Sequence, residues 1–196
     1  MTINQLLDPL MEDKESRKKY DYIAVHLDDV KEVAKAVRDV QERIPEDCIY
    51  TADDDDYGLQ DDLHITIFYG LLPTGKDDHM EDDQYCAVKR FAAKREFEDY
   101  ELTFGPVSFF RCEDYDVMKI DVESEMLDNI HNFVKEMFEV EETHPDYHPH
   151  LTIAYVKKGS CDDLDGKKLP ITGKTYGMPD FYYQFTDRQK YPVYLD

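Results

Sequence analysis

The hydrophobic and polar positions of this chain repeat in the same order in its two halves. In each half, a segment rich in β-branched and aromatic residues predicts a strand. Apolar residues at helical spacing come next, and a second strand-like segment follows. The predicted segments are strands at 20–27 and 115–122, helices within 30–44 and 127–138, and second strands at 64–69 and 150–155. The pattern therefore predicts an α+β fold made of two strand–helix–strand units.

The ends of the two predicted helices carry capping and stop signals. Asp28 or Asp29 is placed to cap the first helix, and Pro45 is placed to end it. Ser124 or Asp121 is placed to cap the second helix. These signals agree with the helix boundaries that the periodicity predicts.

The length of the chain, 196 residues, is typical of one domain with a substantial core. We assign residues 20–196 to this domain, with half-units at about 20–99 and 100–196. Residues 1–19 are predicted to form an N-terminal arm or a short helix. Residues 76–99 are charged and are expected to form a connecting helix between the halves.

The second strands share a six-residue motif. Residues 64–69 read HITIFY, and residues 150–155 read HLTIAY, with four identical positions. Because residues i and i+2 of a strand project from the same face, each copy presents an imidazole beside a hydroxyl. The isoleucines are expected to point the other way, into a core. A matched pair of such motifs indicates a site rather than a chance occurrence.

Two imidazoles and two hydroxyls suit the cleavage of a phosphodiester. One histidine removes a proton from the nucleophile, and the other protonates the leaving oxygen. We therefore predict His64 and His150 as an acid–base pair. Thr66 and Thr152 are predicted to hold the non-bridging oxygens of the phosphate. This chemistry requires no metal and no other cofactor.

The charge of the chain constrains its partners. The formal net charge is −22, and it includes an acidic run at 53–56 that we predict as an exposed loop. Proteins that bind long nucleic acids usually carry a basic face, whereas this chain repels a polyanion at long range. A small cyclic or short oligonucleotide substrate therefore fits better than a long nucleic acid.

Composition also bears on the compartment. The four cysteines lack the spacing of a metal site, and free thiols suit a reducing compartment. No apolar run is long enough to cross a membrane. We expect a cytoplasmic protein that does not engage a membrane and that is a monomer or a weak dimer.

Some residues outside the two histidine–threonine pairs are candidates for substrate contacts, because aromatic rings stack on nucleobases and a lysine attracts phosphate. These candidates are Tyr22, Tyr69, Tyr147, Tyr155 and Lys157. A structural function is favoured for His26, although its position also allows it to face the site.

A metal centre is the alternative to metal-free chemistry. The cluster of His144, Asp146 and His148 contains suitable ligands. Two prolines, however, favour an extended backbone in this segment, and no second set of ligands is evident in the sequence. We therefore predict no metal site.

With two His-x-Thr motifs in matching strands, the chain resembles the 2H phosphoesterase superfamily. The resemblance covers about residues 20–190 and depends on His64, Thr66, His150 and Thr152. It implies a pseudo-symmetric, bilobal α+β fold in which two antiparallel sheets line a central cleft and helices lie outside. It also implies metal-independent phosphodiester cleavage by the two histidines.

Within that superfamily, the chain is similar to phage anti-CBASS nucleases, which cleave cyclic oligonucleotide second messengers. The similarity lies in its compact size, the tyrosine that ends each motif and the His-Pro-His sequence at 148–150. A phage origin would place the protein in the host cytoplasm. The alternatives are a 2H enzyme acting on 2′,3′-cyclic phosphates or on 2′-5′ linked RNA or oligoadenylate, and a non-catalytic protein that sequesters cyclic nucleotides.

Overall fold

A computed structural model provides the structure of the chain. It describes residues 20–52, 57–76, 78–93, 101–141 and 146–193. The predicted N-terminal arm, the acidic run at 53–56 and His144 lie outside the described residues.

The described residues form an α+β fold. The strands are β1 (Asp21–His26), β2 (His64–Leu71), β3 (Glu101–Arg111), β4 (Tyr115–Glu123), β5 (His150–Lys157), β6 (Thr175–Gly177), β7 (Phe181–Gln184) and β8 (Lys190–Val193). The α-helices are α1 (Lys31–Gln41), α2 (Asp83–Ala92) and α3 (Glu125–Met137). Both predicted strand–helix–strand units are confirmed, as β1–α1–β2 and β4–α3–β5. The predicted connecting helix corresponds to α2, and its last residues, 94–99, lie outside the described residues.

The strands form one antiparallel sheet with the order β6-β3-β4-β5-β2-β1-β7-β8. The two motif strands, β2 and β5, lie at its centre and are joined by the single register pair Ile65–Leu151. The two predicted sheets are therefore the halves of one sheet that meet at this pair. Strand β7 pairs with β1, so residues 181–193 lie in the first half in space, although the sequence division near residue 100 assigned them to the second.

Segments that follow the helices fill the space where β2 and β5 diverge. Beside β5, Tyr50 donates its backbone N–H to the carbonyl of Tyr155 at 3.0 Å, and Tyr155 donates to Gly58 at 2.8 Å. Beside β2, Glu141 donates to the carbonyl of Gly70 at 2.9 Å. Each half therefore sends a segment across to the motif strand of the other half, which satisfies backbone groups that the central pair leaves open.

The two faces of the sheet differ in character. The side chains of Ile65, Ile67, Leu151 and Ile153 are fully buried in the main core, together with the apolar faces of all three α-helices. We call this side the helix face, and we call the opposite side, which carries the motif histidines and threonines, the motif face. None of the helices in the described ranges combines the length and the apolar character that a membrane crossing requires.

One of the two predicted helix caps is confirmed, and the other is wrong. Ser124 caps α3, as predicted, by accepting a hydrogen bond from the backbone N–H of Leu127. The predicted aspartate cap of α1 is wrong, because its N-cap is Val30, which makes no side-chain cap. Asp28 instead accepts from the backbone N–H of Leu63 at 3.3 Å and thereby ties the end of β1 to the start of β2.

A buried carboxyl connects β1 to the strands at the edge of the sheet. Asp21 is 1 % exposed, and its Oδ1 accepts from the backbone N–H of Thr186 at 2.8 Å. Its Oδ2 lies 3.2 Å from the hydroxyl of Tyr183, which also lies 2.9 Å from Oε1 of Gln84. Burial raises the pKa of Asp21 to about 6. The neutral carboxyl fits this network, because it donates to Tyr183 while Tyr183 donates to Gln84.

We expect Asp21→Asn to stabilise the protein above pH 6. Because the folded-state pKa is raised, the contribution of Asp21 to stability is present below about pH 4 and is lost as the pH rises through about 6. Asparagine keeps the hydrogen bonds of the neutral carboxyl without its ionisation. Urea unfolding should give equal stability of variant and wild type at about pH 4, and a variant more stable by about 2–3 kcal/mol at pH 8. A variant that is less stable than the wild type at pH 8 would show that the carboxylate itself is required.

Candidate active site

The two motifs meet at the centre of the sheet. Ile65 and Leu151 face the core from the central register pair, so the residues on either side of them project from the motif face. In an antiparallel pair centred there, His64 lies across from Thr152, and Thr66 lies across from His150. The two histidines are then diagonal neighbours, about 7–8 Å apart at the backbone. One phosphate group fits between side chains at that spacing.

Both imidazoles are oriented by the same type of hydrogen bond. Nδ1 of His64 lies 2.9 Å from the backbone oxygen of Asp62, and Nδ1 of His150 lies 2.7 Å from the backbone oxygen of His148. A carbonyl oxygen can only accept, so each Nδ1 carries the proton. Each Nε2 is therefore the atom that is available to take up or release a proton.

A β-bulge in each motif strand turns the motif tyrosine towards the histidines. The register between neighbouring strands skips one residue after each threonine, and the skipped residues are Ile67 and Ile153. Strict alternation would place the tyrosines on the helix face with the isoleucines. The extra residue reverses the alternation, so Tyr69 and Tyr155 return to the motif face.

Tyrosine side chains therefore lie on both sides of the central motifs. On the β2 side, the ring of Tyr22 lies 6.2 Å from that of Tyr69, and its hydroxyl donates to Gln184 at 2.6 Å. On the β5 side, Tyr155 is one of a group of tyrosine rings that pack against one another on the same face. This group, which we call the tyrosine cluster, consists of Tyr50, Tyr57, Tyr115 and Tyr155.

The two remaining substrate-contact candidates, Lys157 and Tyr147, are placed differently from these tyrosines. Lys157 is exposed at the end of β5, five residues beyond Thr152, which is about 16 Å along the strand. The ring of Tyr147 stacks on His131 of α3 at 4.0 Å, and its hydroxyl donates to the backbone oxygen of Thr66 at 3.2 Å. The structure thus brings Tyr22, Tyr69 and Tyr155 close to the motifs, whereas Tyr147 is occupied in packing α3 against β2.

The surroundings of His150 include a buried cation. Lys119 lies across from Thr152 in the β4–β5 register, and Asp121 lies across from His150. The rings of Phe110 and His150 meet edge to face, with the ring centroids 4.9 Å apart. Burial of the imidazole lowers the pKa of His150 to about 4, and the charge of Lys119 contributes to this lowering.

The surroundings of His64 also contain charges of both signs. The carboxylate of Asp62 lies 3.9 Å from Nδ1 of His64, and the ring of His26 lies 5.9 Å away. Burial lowers the pKa of His64, while Asp62 opposes this change and His26 and Lys190 add to it. Both histidines are therefore biased towards the neutral form in the absence of a bound anion, and each has one carboxylate that opposes this bias, Asp62 for His64 and Asp121 for His150.

Reasoning from the sequence missed three charged residues of this site, namely Asp62, Lys119 and Asp121. The sequence contained one signal for Lys119. A lysine is unusual in the largely apolar strand at 115–122, and the register pairs it with Thr152. Nothing in the local sequence distinguishes Asp62 from the other acidic residues of an acidic chain. Its significance depends on the pairing of β1 with β2.

Two groups of potential metal ligands are present. In the described part of the chain, His26, Asp28 and Asp62 have ligand atoms within 4.8 Å of one another. Asp62 already accepts from Nδ1 of His26 at 3.0 Å and has the ammonium of Lys190 at 3.5 Å, and both compete with a cation. In the cluster that the sequence suggested, the described members Asp146 and His148 are exposed.

A curled antiparallel sheet whose central strands each present a histidine and a threonine defines the 2H phosphoesterase class. Residues 21–163 match the sequence profile of the 2′-5′ RNA ligase superfamily, which belongs to this class. The match covers more than half of the chain, so the protein belongs to this superfamily and is a phosphodiesterase of the 2H type. No functionally curated protein matches the chain closely enough to add a more specific assignment.

Solved structures share the fold at low sequence identity. Escherichia coli LigT complexed with 3′-AMP has a TM-score of 0.55 at 13 % identity, over 90 % of this chain and 95 % of LigT. TT0787 of Thermus thermophilus has a TM-score of 0.51 at 14 % identity, over 89 % of this chain and 97 % of TT0787. A protein described as a phosphoesterase has a TM-score of 0.50 at 15 % identity, over 90 % of this chain and 96 % of the chain of that phosphoesterase. These likenesses establish the fold alone.

Proposed function

We propose that the protein cleaves a phosphodiester bond in a small cyclic oligonucleotide second messenger, without a metal ion, by acid–base catalysis at His64 and His150. The observation that carries the proposal is the matched pair of imidazoles whose Nδ1 atoms are anchored to carbonyl oxygens. This arrangement leaves one Nε2 on each side of a single phosphate. Binding without cleavage would not require two such groups.

The threonines complete the phosphate site. Thr66 and Thr152 alternate with the histidines around the central register pair, on the same face. Their hydroxyls donate to the non-bridging oxygens, where negative charge increases as the nucleophile attacks. One histidine takes the proton of the nucleophile, and the other gives a proton to the leaving oxygen.

The tyrosines support a substrate with a nucleotide on each side of the phosphate. Tyr22 and Tyr69 lie on one side of the motifs, and the tyrosine cluster lies on the other. Aromatic faces hold nucleobases without strict sequence preference. Lys157 lies farther along β5 and supplies a positive charge for a more distant part of the substrate. We propose Tyr22, Tyr69, Tyr155 and Lys157 as substrate contacts. We propose that Tyr147 supports the site by packing α3 against β2.

A second candidate function is cleavage of a 2′,3′-cyclic phosphate or of a 2′-5′ linkage in RNA or oligoadenylate. The match of residues 21–163 to the 2′-5′ RNA ligase superfamily favours it. The net charge of −22 favours the cyclic oligonucleotide over a polymer. The purified protein should be incubated with cyclic dinucleotides and trinucleotides, 2′-5′ oligoadenylate and a 2′,3′-cyclic nucleotide. Turnover of the last two alone would select the second candidate, and tight binding without turnover would select a sequestering protein.

Activity is expected to persist in EDTA. The proposed chemistry uses proton transfer and hydrogen bonds, so removal of divalent metals should leave kcat within about twofold of its untreated value. The measurement is turnover of the best substrate before and after chelation, with dialysis to remove the chelator. Activity that is lost in EDTA and restored by zinc or manganese would contradict the metal-free mechanism. Variants of Asp146 and Asp62 would then identify which ligand group holds the ion.

The protein is expected to prefer a compact cyclic oligonucleotide over long RNA. Contacts to one phosphate and its flanking bases, about 1–3 kcal/mol for each stacked base, do not grow with polymer length. Repulsion between the acidic chain and the RNA does grow with RNA length, for phosphates that lie within one screening length of the protein, roughly 8 Å at physiological salt. Competition between a cyclic dinucleotide and a single strand of about twenty nucleotides, at two salt concentrations, measures the difference. Tighter binding of the RNA that weakens as salt rises would indicate a basic surface and contradict this preference.

A further inference from the structure

The bulge in each motif strand is held by a side chain from the helix of the other half. The extra residue at the bulge, Ile67 in β2 and Ile153 in β5, is left out of the ladder of the neighbouring strand, so its backbone groups need other partners. Both residues are fully buried, and a buried carbonyl without a donor is destabilising. The donors are a side chain of α3 for the first bulge and a side chain of α1 for the second.

His131 of α3 serves the bulge of β2. Its Nδ1 lies 2.8 Å from the backbone oxygen of Ile67, and this nitrogen carries the proton because a carbonyl only accepts. The ring stacks on that of Tyr147, with the centroids 4.0 Å apart and an interplanar angle of 10°. The hydroxyl of Tyr147 donates to the backbone oxygen of Thr66 at 3.2 Å. One stacked pair of rings therefore holds two successive carbonyls at the bulge, and the first of them belongs to the motif threonine.

Gln41, the last residue of α1, serves the bulge of β5. Its Nε2 donates to the backbone oxygen of Ile153 at 3.0 Å and to that of Gln60 at 2.9 Å. Gln60 also donates its backbone N–H to the oxygen of Ile153, at 3.0 Å. One side-chain amide thus joins the bulge of β5 to the segment that crosses to it from the first half.

The two contacts are exchanged between the halves. Helix α1 lies in the first half and contacts the motif strand of the second, and α3 does the reverse. Each donor acts on the residue that directly follows a motif threonine, Thr66 or Thr152. A displacement of that residue moves the threonine hydroxyl before it and the motif tyrosine after it. The helix of each half is therefore placed to control the catalytic geometry of the other half.

We propose that Gln41 and His131 are positioning residues of the active site, each of which fixes the motif threonine of the opposite half through the adjoining bulge. The inference rests on the phosphate-binding function proposed above for the threonines. His131 acts on Thr66 together with Tyr147, and Gln41 acts on Thr152. Both act through the backbone that carries a donor to the developing charge. A misplacement of about 1 Å at such a donor is enough to lower the rate about a hundredfold.

Steady-state kinetics on variants that remove only the donors tests the proposal. His131→Leu and Gln41→Met cannot donate, and each should lower kcat at least about tenfold while KM changes less than about threefold. His131→Asn returns an amide N–H close to the position of Nδ1 and should recover kcat to within about threefold of wild type. The controls are the exposed changes Lys35→Met on α1 and Asn132→Leu on α3, which should leave kcat unchanged. Wild-type kcat in both donor variants would overturn the proposal.

The exchange between the halves predicts a pattern of coupling that general destabilisation does not produce. His131→Leu should lower kcat less than about threefold further in Thr66→Val, because the hydroxyl that it positions is already absent. In Thr152→Val it should lower kcat by nearly its full single effect. Gln41→Met should show the reverse preference. Equal effects in both backgrounds, or a preference for the threonine of the same half, would contradict the exchange.

Tyr147→Phe provides the same test with a smaller change to the fold. It removes the hydroxyl that donates to the backbone oxygen of Thr66 and keeps the ring that stacks on His131. It should lower kcat, and the loss should disappear in Thr66→Val and persist in Thr152→Val. If His131→Leu does not fold, this variant decides between the outcomes, and an unchanged kcat in Tyr147→Phe would then overturn the assignment for β2.

NMR without substrate separates this inference from the proposed function. The carbonyl at each bulge shares a peptide group with the N–H of the next residue, Phe68 or Ala154. His131→Leu should shift the amide resonance of Phe68 more than that of Ala154, and Gln41→Met should do the reverse, whether or not the enzyme turns over. Amides that stay in place would refute the positioning. Shifts of this pattern, combined with undiminished kcat in the threonine variants, would instead refute the function on which the inference rests.

Discussion

We expect His64→Ala and His150→Ala each to lower kcat by at least about a hundredfold, the usual contribution of a general acid or base. Each variant loses an Nε2 that no other described residue of the motif face supplies in the same position. The fold should persist, since His64 is 32 % exposed and neither ring belongs to the main core. The double variant should lose less than the product of the single losses, because the two groups act on one reaction. The measurement is kcat on the substrate that the incubations with the candidate nucleotides identify.

His148→Ala is the matched control for the two histidine variants. Its side chain is exposed, and its contact to His150 uses the backbone oxygen, which alanine retains. Its activity should stay near the wild-type level. Near-wild-type turnover of either motif variant would show that the acid–base pair is wrongly assigned. Thermal unfolding of each variant distinguishes loss of chemistry from loss of the fold.

We expect Thr66→Val and Thr152→Val each to lower kcat by about a hundredfold, which is the effect of removing one hydrogen-bond donor to developing charge. Valine keeps the shape and the strand preference of threonine but cannot donate. The loss should appear mainly in kcat, with a smaller change in KM, because the hydroxyls bind the transition state more tightly than the substrate. Steady-state kinetics on the same substrate separates the two constants.

Thr103→Val is the control for the threonine variants. Its hydroxyl bonds to that of Thr175 at 3.0 Å, between β3 and β6 at the edge of the sheet, away from the motifs. The same loss of a hydroxyl there should leave kcat unchanged. A threonine variant whose KM rises while kcat stays constant would show that the hydroxyls only hold the substrate in the ground state.

The local sequence was sufficient to predict the elements and the central residues of the site. Apolar periodicity and β-branched residues identified both strand–helix–strand units, since these preferences act between neighbours along the chain. Ser124 was identified as a cap for the same reason. The alternation of strands placed the histidines and threonines opposite Ile65 and Leu151, and the register of the sheet agrees. A duplicated motif was the strongest of these signals, because one pattern constrained two halves.

The pairing of distant strands decided the rest. The bulges at Ile67 and Ile153, which bring the tyrosines to the motif face, exist only in register with β1 and β4. Tyr147 was predicted as a substrate contact from its position in the chain, but its packing on α3 depends on a helix many residues away.

The sequence by itself determined which residues form the two strand–helix–strand units and which four side chains are the candidates for the chemistry. The tertiary structure alone decided which neighbours surround each histidine. Lys119 and Asp62 are single charges in a chain with many, and they matter because strand pairing places one beside His150 and the other beside His64. Local propensity depends on adjacent residues, whereas the electrostatic environment of a group depends on everything that folding brings near it.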